Sequence, residues 1–103
     1  MAERVAYQAG SVVSRTLLKI GSGSLTLFAF DEGQGLSEHT TPHVAVVLIL
    51  DGSARVTIAE REMLVGKGEA VSLPAGVPHA LFAPEPFKML LVMLKQAAEE
   101  SSA

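Results

Sequence analysis

The chain has 103 residues, of which 49% are apolar, a formal net charge of −3 and no cysteine. That length makes one domain. The acidic balance, with lysines and arginines scattered singly, argues against nucleic acid as a partner, and the lack of cysteine excludes disulfides, thiolate catalysis and thiolate metal sites. The N-terminal MAERVAYQAG has neither the basic nor the apolar region of a secretory signal, and the longest apolar run, Val44 to Leu50, is too short to cross a bilayer. The expectation is a cytoplasmic protein with no membrane partner.

Glycine and proline punctuate the chain at short intervals, and no interior segment carries a long helical period. Ser11 to Lys19 reads as a first strand, closed by the hairpin turn GSGS at residues 21–24. Leu25 to Phe30 is a second strand, ended by DEGQG, and Leu36 to Thr41 a third, short and polar. Val44 to Leu50 runs into Asp51-Gly52, a pair that signals a hairpin, so Ala54 to Ala59 is expected to pair back on it. Glu60-Arg61 reads as the next tight turn, before a short strand at Met63 to Val65. Ala70 to Leu73, His79 to Phe82 and Phe87 to Leu94 complete the set, and residues 95–103 form a short helical or disordered tail. Many short strands at this spacing predict an all-β sandwich or closed barrel.

Two strands, Val44 to Leu50 and Phe87 to Leu94, are apolar on both faces. A barrel strand needs apolar groups on its inner face alone, so the outer face calls for a cover. A chain this short has little spare material, and a twofold homodimer is the expected cover; other parts of the same chain are the alternative.

The three histidines, His39, His43 and His79, sit in EHTTPHVA and PAGVPH, at the mouths of two apolar strands. Imidazole suits iron, nickel, copper and zinc, and manganese less well. Three such nitrogens plus water would make an open site for one divalent transition metal. Fully extended, His39 and His43 would lie about 13 Å apart, so they could share an ion only if the chain turns at Pro42. In the alternative, His39 and His79 are neutral imidazoles lining a pocket and His43 is a surface residue. The pocket wall is expected to be apolar, with Phe28, Val47, Leu81 and Met89 among its candidates, and to fit a small organic ligand.

The spacing around these histidines resembles the two motifs of small single-domain cupins. Gly33, five residues, then His39 opens the first motif; Thr41 stands at its second histidine, Ala45 at its glutamate and Gly52 at its closing glycine. Gly68, Pro74, Gly76 and His79 match the second motif. The resemblance covers nearly the whole chain and implies a double-stranded β-helix, the cupin or jelly-roll barrel, over residues 1–103. It implies metal-ligand positions at His39 and His79, with Thr41 and Ala45 in place of two further ligands. It names no activity, because the fold serves many. Two readings follow: a cupin that binds a divalent metal through His39, His43 and His79 and acts on or senses a small organic molecule, or a metal-free small-molecule-binding or structural cupin. No catalytic residue is assigned.

Overall fold

The computed structural model describes residues 1–95. The tail expected over 95–103 falls outside them from residue 96 onward. After a 3-10 turn at Ala2–Arg4 come nine strands: β1 Val12–Ile20, β2 Gly23–Phe30, β3 Gly35–His39, β4 Val44–Asp51, β5 Ser53–Ile58, β6 Arg61–Gly66, β7 Ala70–Leu73, β8 His79–Phe82 and β9 Phe87–Leu94. All pair antiparallel, in a five-stranded sheet ordered β1-β2-β9-β4-β7 and a four-stranded sheet ordered β3-β8-β5-β6. No helix among the described residues is long and apolar enough to cross a membrane.

Alternation along the strands builds the core between the sheets. On β4, Ala45, Val47 and Ile49 are buried while their neighbours are half-exposed. Phe87 and Met89 of β9 are buried in the same way, and Val56 and Leu81 answer them from the four-stranded sheet. Phe30 and Phe87 stack at 4.4 Å between ring centroids, both without exposed surface.

The second apolar face of β4 and β9 is covered at one end by the chain itself. Val5 and Tyr7 of the N-terminal segment pack on Leu27, Ala29, Leu50 and Leu90. The Tyr7 hydroxyl donates to Asp51 Oδ2 at 2.6 Å, and Lys88 Nζ donates to the Ala2 carbonyl at 2.9 Å, which ties the segment down. The sequence gives no periodic pattern for this strap, because its packing residues do not lie on a strand or helix. At the other end of the sheet Leu18, Ile20 and Leu94 remain about half exposed, at 49%, 52% and 51%.

Two turns differ from expectation. Asp51-Gly52 is not a hairpin: β4 and β5 belong to different sheets, and the pair is the corner between them. Gly52 has a φ of 70°, and a Cβ there would collide with the Pro86 carbonyl and press on Phe87. The glycine therefore serves a close backbone approach rather than a two-residue turn. The true hairpin after β5 turns at Ala59-Glu60, one residue earlier than expected, with Ala59 at φ 56°.

Candidate functional site

His39 ends β3 and His79 opens β8, and the antiparallel pairing of these strands sets the two residues opposite each other. A break in register between Leu36 and His39 turns the end of β3. The loops that follow and precede these strands are laced together. Gly76, at φ 74°, donates its backbone N–H to the Thr41 carbonyl at 2.8 Å. A glycine adopts that left-handed backbone without a steric penalty.

The two imidazoles meet edge to face, with ring centroids 4.4 Å apart and Nε2 atoms 3.2 Å apart. His79 is buried and His39 exposed at the mouth. The outer nitrogen of each ring faces a main-chain carbonyl: His39 Nδ1 lies 2.8 Å from Ser37 O, and His79 Nδ1 lies 3.3 Å from Val77 O. A carbonyl oxygen only accepts, so a hydrogen on Nδ1 satisfies each of these contacts, the one in His39 more closely than the one in His79. With both hydrogens there, the Nε2 atoms of the neutral rings are both acceptors. In that state, with 3.2 Å between them, neither donates to the other, and a donor or a cation from outside would satisfy both.

Burial holds the His79 ring below its ordinary value of 6.5; the neighbouring His39 charge acts in the same direction, and the Val77 carbonyl opposes them. The folded state thus binds fewer protons than the unfolded state just below that pH. Stability is fully present above pH 6.5, falls as pH drops through that value, and levels off once the lowered folded pKa is passed. Urea midpoints measured from about pH 8 down to about pH 5 should decline in the wild type and decline less in His79→Leu. Equal slopes in the two proteins would assign the loss to another group.

Behind the pair lies a cavity of about 160 Å³ lined by Leu36, Leu73, Leu81, Met89, Leu91 and Met93, with His39, His79, Thr41 and Ala45 at its polar end. All four positions of the expected ligand set therefore border one space, although only two carry nitrogen. Of the other pocket candidates, Leu81 and Met89 line the cavity. Val47 is buried in the core beside it, and Phe28 packs against that core and stacks near Phe30, with centroids 5.9 Å apart. Leu36 and Met93 line it as well; alternation along β3 and β9 was the signal for them.

His43 is not among the lining residues. The chain does turn at Pro42, where the His43 N–H donates to Thr41 Oγ1 at 3.2 Å, yet its ring does not join the other two. Its Nδ1 is buried and has no hydrogen-bond partner among the described residues. Among those residues no three His, Cys, Asp or Glu side chains gather closely enough to hold a metal ion. The three-histidine arrangement considered from the sequence is therefore not found as one cluster among the described residues.

Two antiparallel sheets rolled around a cavity, with histidines contributed by facing strand ends, define a cupin-type double-stranded β-helix. The Cupin domain model, Cupin_2, matches residues 26–93, and the chain belongs to that family. It is similar to a conserved protein of unknown function from Streptococcus pyogenes, at 39% identity over 94% of this chain and 85% of that one, with a TM-score of 0.89. A Cupin 2 conserved barrel domain protein from Leptotrichia buccalis is 38% identical over 92% of this chain and 46% of that one, with a TM-score of 0.89. A cupin superfamily protein from Desulfitobacterium hafniense is 26% identical over 93% of this chain and 88% of that one, with a TM-score of 0.90. No curated protein matches the chain.

Proposed function

We propose that this cupin binds a small, largely apolar organic molecule in the barrel, with His39 and His79 as its polar anchor. The observation that carries this reading is the convergence of two acceptor nitrogens, 3.2 Å apart, at the end of an otherwise apolar cavity of about 160 Å³. Binding needs no resident metal. A thermal-shift screen of small metabolites in the presence of chelator tests this. Stabilisation that persists in chelator and is lost in a His39→Leu plus His79→Leu variant is the expected result. A flat response across a broad panel would overturn it.

A second reading places a divalent ion on the same two nitrogens. Imidazoles that ligate metals usually donate their other N–H to a carbonyl or carboxylate, as the Nδ1 atoms of His39 and His79 are set to do. The donor set nevertheless falls short. Two imidazoles, the neutral hydroxyl of Thr41 and the methyl of Ala45 do not complete a site for iron, nickel, copper or zinc. Metal analysis of tag-free protein purified without chelator should give well under one ion per chain; near-stoichiometric metal would favour the second reading.

The uncovered end of the five-stranded sheet, with Leu18, Ile20 and Leu94 about half exposed, supports the homodimer expected from the sequence. Sedimentation velocity of the full chain reads the stoichiometry directly, and a monomer at micromolar concentration would remove the dimer from this account.

A further inference from the structure

We infer that the ligand is a single-ring phenol, or a molecule of the same size bearing one hydroxyl, whose O–H is donated into the His39–His79 pair. This rests on the small-molecule reading above and names its ligand class. Four observations converge on it.

The first is size. A cavity of about 160 Å³ is close to the apolar cavity of about 150 Å³ that accommodates benzene in another protein. The second is the sign of the polar end. With both Nδ1 hydrogens directed at main-chain carbonyls, the Nε2 atoms present acceptors and no donor. The complement of two convergent acceptors is a hydrogen, so an ether or ketone, which only accepts, leaves them unmatched.

The third is charge. No lysine or arginine lines the cavity to meet a carboxylate, and no aspartate or glutamate lines it to meet an ammonium. An acid or an amine would enter an apolar chamber with its charge uncompensated, whereas a phenol enters neutral. The fourth is the wall. Met89 and Met93 bring two thioethers to the lining, and sulfur packs favourably against aromatic rings. Thr41 lies at the same end. Its Oγ1 already accepts from the His43 N–H, which leaves the hydroxyl hydrogen free to donate to the oxygen of the bound phenol.

The test uses chelator-treated full-length protein with phenol, p-cresol, toluene, anisole and benzoate, followed by methyl NMR at Leu81 and Met89 and by calorimetry. Phenol and p-cresol should bind about tenfold or more tightly than toluene and anisole, the difference of one hydrogen bond to a buried acceptor, and benzoate should bind weakest. The preference for the hydroxyl should shrink in His39→Leu, a substitution at an exposed position, and fall to near unity in His39→Leu plus His79→Leu, while toluene binding is retained. Equal binding of phenol, toluene and anisole would overturn the hydroxyl assignment and leave the apolar cavity as a binding site. Tightest binding by benzoate would overturn it in favour of a cationic pair. A phenol preference that survives loss of both histidines would remove the pair as its cause. If none of these probes binds while the chelator-resistant shifts of the wider metabolite screen persist, the ligand class is wrong and the small-molecule reading stands. If both are silent, the two fall together.

Discussion

Replacing Thr41 with histidine and Ala45 with glutamate together should convert this protein into a metal-dependent one. Both positions border the cavity that His39 and His79 already enter, so the change adds a nitrogen and a carboxylate to a pair of converged nitrogens. The single variant Ala45→Glu places a carboxylate where the native residue is almost wholly buried. Without a cation its ionised form is costly, and the protein should lose several kcal/mol of stability, about 3 kcal/mol or more. In the double variant a divalent ion supplies the missing charge. At a free concentration a hundredfold above Kd it stabilises by about 2.7 kcal/mol, which for a domain of this size raises Tm by roughly 10–20 °C. The measurements are metal content and the difference in Tm with and without chelator. Near one ion per chain and a Tm that collapses in chelator are expected for the double variant, and neither for the wild type. A double variant that takes up no more metal than the wild type would mean that the backbone at Thr41 and Ala45 does not aim side chains at the pair.

Phe87→Ala should be the most damaging single change in the core. Phe87 has no exposed surface, and its ring lies against Phe30 at 4.4 Å with only 11° between the planes. It also sits where Gly52 lets β4 pass to the other sheet, so the cavity left by truncation opens at the seam between the sheets. Such truncations cost about 3–5 kcal/mol, out of a total that for most domains is about 5–15 kcal/mol. Equilibrium denaturation in urea should show a midpoint lowered accordingly, with Phe87→Leu retaining most of the loss-free stability. Since Phe87 does not line the ligand cavity, the folded fraction of Phe87→Leu should bind cavity ligands as the wild type does. A loss below about 1 kcal/mol, the scale of an ordinary surface change, would show that the two-sheet core does not depend on this stack.

Much of the barrel was legible because its strands are written in alternation. β7, β8 and β9 have the predicted bounds, and the others differ by a few residues at their ends. Pairing was less legible. Asp51-Gly52 carries the composition of a hairpin, yet a glycine needed for a close approach to Pro86 looks the same in sequence as a glycine needed for a turn. The N-terminal strap was hidden for a related reason: Val5 and Tyr7 bury themselves from a segment without period.

For the site, the spacing of Gly68, Pro74, Gly76 and His79 located one histidine, and that of Gly33 and His39 located the other. Their opposition depends on β3 pairing with β8, and both lie on the same cavity as Thr41 and Ala45. The role of His43 could not be read in this way, because its distance from the pair depends on the turn at Pro42 and no motif spacing fixes that turn. The tautomers were also out of reach, since Ser37 and Val77 act through their carbonyls and any residue type could provide them.

The ligand reading stands on His39 and His79 holding their hydrogens on Nδ1 and leaving two bare Nε2 atoms at the cavity. Long-range proton–nitrogen NMR correlations of the imidazole rings, recorded near neutral pH on metal-free protein, report this protonation pattern residue by residue. Protonated Nδ1 and unprotonated Nε2 are expected in both rings, with Nε2 signals that respond to cavity ligands while those of His43 do not. A proton on either Nε2 would mean that the pair satisfies itself by its own hydrogen bond, and that His39 and His79 do not offer two acceptors to a ligand.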